Sequence, residues 1–68
     1  MSGVTDHDVT ETMILYGGAF VTGLGELYRR ADDENQQRLR DAFPEYFKQY
    51  RELAELRQRR LAAAEREP

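Results

Sequence analysis

Large apolar residues recur three and four positions apart along this chain, and nowhere does an apolar–polar alternation of period two persist long enough for a strand. The spacing predicts an all-α protein, a small helical hairpin or three-helix domain. A long helix 1 spans residues 9–31, a short helix 2 spans 34–42, and a long helix 3 over 44–64 folds back on helix 1. Residues 1–8 read as a flexible polar lead. Asp8 or Thr10 can cap helix 1, with Glu11 near its positive end.

Helix 1 holds the main conflict in the chain. Met13 to Gly25 carries no charge and contains four of the five glycines, Gly17, Gly18, Gly23 and Gly25. An interior glycine costs a helix about 1 kcal/mol relative to alanine, so this segment needs support from packing. On a helical projection Met13, Tyr16, Phe20, Leu24, Leu27 and Tyr28 share one bulky face, the expected core. Beside it Ile14, Gly18, Val21 and Gly25 form a ridge of smaller residues suited to close helix packing, either within the chain or across a dimer interface.

Asp32 or Asp33 provides an N-cap for helix 2, with Gln36 at capping-box spacing from Asp33. Leu39, Ala42 and Phe43 are its inward residues. Pro44 breaks the chain, and proline is favoured in the first turn of the helix that follows. Helix 3 starts with Glu45 near its positive end and runs on through Phe47, Tyr50, Leu53, Ala54, Leu56 and Arg57. Beyond Leu56 only Leu61 is a large apolar anchor, so the end of helix 3 is expected to extend into solvent. Phenylalanines at this spacing belong to a core. Tyr46 and Tyr50, flanked by Lys48, Gln49 and Arg51, form a candidate contact face, because tyrosine serves interfaces well.

Length and composition narrow the picture. Sixty-eight residues make one domain, and a chain of this size buries only about 60% of its unfolded surface. The absence of cysteine excludes disulfides and thiolate metal sites, and the single histidine, His7, cannot build a zinc site alone. Association is the remaining support, so an oligomer or a docked partner is expected. The net charge of −3 divides unevenly. Residues 1–34 are acidic and residues 35–68 mildly basic, which argues against strong nonspecific nucleic-acid binding. The acidic start is unlike a secretory signal, and the uncharged run is shorter than the ~20 residues of a membrane span. A cytoplasmic protein is expected.

Candidate chemistry is sparse. Asp6-His7-Asp8 could hold a cation weakly, and Asp32-Asp33-Glu34 is accounted for by helix capping rather than calcium. The glycines lack the strand before and the Gly-Lys-Ser/Thr after that a phosphate loop requires. No catalytic residue, cofactor, metal or small-molecule substrate is expected. Arg51, Arg57, Arg59, Arg60 and Arg66 form a basic cluster on helix 3, with Arg57, Arg59 and Arg60 as its contact candidates, that could meet phosphates or an acidic protein. Glu55 and Arg59 stand at the i, i+4 spacing of an intrahelical pair, which would make this face a salt-bridged solvent surface.

Tyr16-Gly-Gly-Ala-Phe20, Leu27-Tyr28-x-x-Ala31-Asp32 and Ala42-Phe-Pro-Glu-Tyr-Phe47 with Tyr50 resemble small helical proteins encoded by phages and prophages. The resemblance covers about residues 13–53 and rests on structural motifs. It implies an accessory protein that binds and modulates another. The expectation is therefore a non-enzymatic protein-binding module, self-associating or acting as an inhibitor or adaptor. A nucleic-acid-associated regulator using the helix 3 arginines is the alternative.

Overall fold

The computed structural model describes residues 3–66, with side chains to residue 63. Met1 and Ser2 of the expected lead, and the Arg66 side chain, lie outside the described residues. Four helices follow one another: α1 (Asp6–Tyr16), α2 (Ala19–Arg30), α3 (Asp33–Ala42) and α4 (Pro44–Arg66). The described residues contain no strand, so the chain is all-α, but the expected three helices are four.

The extra helix arises where the first was expected to run unbroken over 9–31. Gly17 and Gly18 both adopt extended backbone (φ −77°, ψ 158° and φ −73°, ψ −175°), and α2 turns back against α1. These angles suit any residue, so conformational freedom is not what requires glycine here. Space is. A Cβ on Gly17 would collide with the Met13 carbonyl oxygen and the Val21 side chain, whereas one on Gly18 would meet nothing within 4 Å. Thr22 Oγ1 closes the corner by donating to the Gly17 carbonyl at 3.2 Å.

Helix α1 also begins earlier than expected. Thr5, not Asp8 or Thr10, is the N-cap: its hydroxyl accepts from the Asp8 amide while the Asp8 carboxylate accepts from the Thr5 amide at 3.0 Å. This is a capping box with aspartate in the place of the usual glutamate. At α3 the Asp32 carboxylate accepts from the Asn35 amide, as its sequence suggests. Pro44 opens α4, and Phe43 before it leaves helical geometry (φ −129°, ψ 55°).

Helix α1 packs on both α2 and α4, and α3 touches α2 and α4 more lightly. The buried hydrophobic residues are Val9, Met13, Val21, Leu24, Tyr28, Tyr50 and Ala54, with Leu39, Phe43, Tyr46, Phe47 and Leu53 half-buried around them. Two threonines are buried with them, and each uses its hydroxyl twice. Thr10 lies within donor range of the Asp6 and His7 carbonyls and accepts from Arg29 Nε of α2 at 2.9 Å. Thr12 donates to the Asp8 carbonyl and accepts from Arg57 Nη1 of α4 at 3.0 Å. No buried side-chain polar atom among the described residues lacks a partner, which removes the penalty such groups otherwise carry.

The expected core face of helix 1 is divided. Met13, Leu24 and Tyr28 are buried, but Tyr16, Phe20 and Leu27 are 55–60% exposed. The turn at Gly17-Gly18 ends the continuous face that a single helix would have had. Phe20 therefore lies at the surface, contrary to its expected place in the core.

Crowding at two glycines and open space at a third give a direct test. Gly17→Ala should destabilise the protein by about 1–3 kcal/mol through overpacking, and Gly25→Leu should do likewise, since a Cβ there already sits 3.1 Å from the Thr10 carbonyl oxygen. Gly18→Ala should stay within about 0.5 kcal/mol of the parent. Urea unfolding followed by circular dichroism measures all three.

Candidate functional site

The structure distributes the sequence candidates across different surroundings. Gly25 is buried against α1, where its missing Cβ leaves room for Thr10, Met13 and Ile14, and Val21 lies in the core. Gly18 is exposed at the N-cap of α2 and Ile14 is half-buried. Ile14 and Gly25 therefore meet inside the α1–α2 contact, while Gly18 stands apart from it. Tyr50 is a core residue, and Tyr46 is half-buried against Phe20 with ring centroids 5.7 Å apart. Of the arginines, Arg57 bonds Thr12 and lies over the Tyr16 ring at 5.2 Å. Arg59 and Arg60 are exposed. The expected Glu55–Arg59 pair is not among the ion pairs of the described residues, which are Arg38–Glu34, Arg40–Asp6 and Arg51–Asp6.

A polar clasp joins all four helices at one end. The Asp6 carboxylate of α1 accepts from the Tyr28 hydroxyl of α2 at 3.0 Å and from Arg51 of α4 at 3.0 Å, and lies 3.6 Å from Arg40 of α3. Arg40 also donates to the Tyr28 hydroxyl, and Gln36 Nε2 donates to the Tyr28 carbonyl at 2.9 Å. Arg29 donates to the neighbouring His7 carbonyl at 3.1 Å. Among the described residues no group of three or more His, Cys, Asp and Glu is placed to hold a metal ion. Burial raises the Tyr28 hydroxyl above its ordinary value of 10, and the Asp6 carboxylate that accepts from it acts in the same direction. Asp8 is lowered below 3.8, chiefly by the Thr5 amide bonding its ionised carboxylate.

The clasp sets α3 beside α2, and between them runs an open apolar groove. Its upper part, a hollow of about 420 Å³, is lined by Phe20, Gly23 and Leu27 of α2, by Leu39 of α3 and by Phe43 just beyond it. A second hollow of about 410 Å³ shares Leu27 and Leu39 and continues to Arg30, Asn35 and Arg38. The upper end is aromatic: Phe20 meets Phe43 edge-on at 5.6 Å and lies beside Tyr46. The lower end is cationic, with two arginines and no acidic residue in its lining. Phe20 and Leu27 are each more than half exposed, and contiguous exposed apolar surface of this kind marks an interaction site more often than scattered single residues do.

Sequence reading missed this groove. Gly23, Leu27 and Leu39 were each visible as residues, but their meeting depends on the α1–α2 turn and on the Phe43–Pro44 junction. The signal available was the Gly17-Gly18 pair, read as two helix-interior glycines rather than as a break. No family model, curated protein or solved structure matches this chain.

The two shifted groups predict opposite pH limits. Tyr28 favours its neutral form in the folded state, so its contribution is complete below pH 10 and is lost as pH rises through its raised folded value. Asp8 favours its ionised form, so its contribution is present above 3.8 and lost as pH falls through its lowered value. Tyr28→Phe should cost about 1 kcal/mol at neutral pH and remove the Tyr28 part of the alkaline loss, as read from melting curves between pH 7 and 12.

Proposed function

We propose that this chain is a non-enzymatic protein-binding module, an accessory protein of the phage type that inhibits or adapts a partner protein and acts through its helix surfaces. The observation that carries this reading is the α2–α3 groove, whose apolar walls bear Phe20 and Leu27 largely exposed. A groove lined in this way fits the apolar face of an amphipathic helix, a recurrent mode of protein recognition. Its lining offers contact area and two guanidinium groups but no nucleophile, general base or carboxylate.

The nucleic-acid alternative has less support. Of the described side chains of that cluster, Arg51 pairs with Asp6 and Arg57 gives one donor to Thr12 and its planar face to Tyr16, while Arg59 and Arg60 are exposed. Two exposed arginines give little of the phosphate neutralisation on which such binding depends. Among the described residues, no helix is long and apolar enough to cross a membrane.

Placing a photo-reactive side chain at position 27, in the groove, or at position 59, on exposed α4, tests the reading in the native cell. Position 27 should give discrete protein adducts several-fold more abundant than those from position 59. Equal labelling at both positions, or none at 27, would overturn it.

A further inference from the structure

We propose that the occupant of the groove is a second copy of this chain, with the two α2 helices antiparallel about a two-fold axis beside Gly23. This inference rests on the protein-binding reading above and names its partner. It begins with a glycine that the fold does not explain. Gly17 and Gly25 face neighbours that a Cβ would crowd, but nothing lies within 4 Å of where a Gly23 Cβ would stand. Gly23 is interior to α2 and exposed. The monomer thus carries a helix-weakening residue for no internal purpose, while a second backbone crossing the groove at that point would use the space.

Side-chain size supports an antiparallel copy. Leu27 lies four residues after Gly23 and Ala19 four residues before it, on one face of α2. Antiparallel pairing about Gly23 sets the large Leu27 of each copy against the small Ala19 of the other. An isologous contact of this kind closes on itself and stops at two.

The chemistry of the groove's two ends gives the same orientation. One end presents Phe20, Phe43 and Tyr46, and the other presents Arg30 and Arg38. Antiparallel copies carry the Arg30 end of each toward the aromatic end of the other, where guanidinium groups are favoured over ring faces. Parallel copies would bring arginines onto arginines. The area required is modest: a standard interface takes about 800 Å² per partner, roughly a sixth of the 5133 Å² surface of this chain. Helices of 12 and 10 residues line the groove.

Sedimentation equilibrium of the full chain should show the 8.0 kDa mass doubling as concentration rises. Gly23→Leu, which improves helix propensity, should return the mass to 8.0 kDa with the helical signal intact, and Leu27→Arg should do the same. Because the chain contains no cysteine, Gly23→Cys should form a disulfide-linked dimer under mild oxidation, at least tenfold faster than Arg59→Cys. A mass of 8.0 kDa at every concentration up to millimolar overturns the proposal, as does a dimer that survives both Gly23→Leu and Leu27→Arg. A monomer whose position 27 still labels another protein leaves the binding reading intact and overturns only the second copy as occupant.

Discussion

The Asp6 carboxylate, standing in the first turn of α1, reaches all three of the other helices through Tyr28, Arg40 and Arg51. Each link is individually modest, since half-exposed ion pairs contribute about 0.2–1 kcal/mol and a neutral hydrogen bond about 1 kcal/mol. Their importance is geometric. Helix α3 buries none of its own residues, so apolar packing alone holds it loosely. Arg40, Gln36 and the half-buried Leu39 tie it to Tyr28 and to the core. The same clasp that completes the fold therefore sets the separation of α2 and α3, and with it the groove.

Helix α1 is the strut on which this depends. It is polar for a helix that packs on two neighbours, and its buried threonines show how that is tolerated. Thr10 and Thr12 each return a hydrogen bond to α1 and accept one from an arginine, Arg29 of α2 or Arg57 of α4. A chain without cysteine and with few buried hydrophobic residues supplements its core with arginine-mediated links between helices. This use of the arginines withdraws Arg57 and Arg51 from the surface role that a basic cluster suggests.

Two of the four closely spaced glycines serve the fold directly. Gly17 lets α2 start against the end of α1, and Gly25 lets it stay close. The tight α1–α2 contact turns the remaining apolar residues of that segment, Phe20 and Leu27, outward toward α3. The groove is thus a consequence of the same close approach that stabilises the pair.

Local chemistry made much of the chain legible. The helical period, the Asp32 cap, the Phe43–Pro44 junction and the burial of Met13, Leu24 and Tyr28 follow from residue spacing and backbone preference, which act over a few neighbours. The places of Phe20, Leu27, Tyr50 and Arg57 do not. A glycine pair reads in sequence as part of a helix interior, and only the packing of Val21 and the Met13 carbonyl against Gly17 marks it as a corner. The partners of the arginines lie far off in the chain, 45 residues in the case of Arg57 and Thr12. The sequence by itself determined that the protein is helical and where α3 and α4 begin, because those are local energies. Which faces meet, which arginines are taken up and which apolar residues are left to form a groove were decided by tertiary structure, because each depends on the angle between helices that close at a distance.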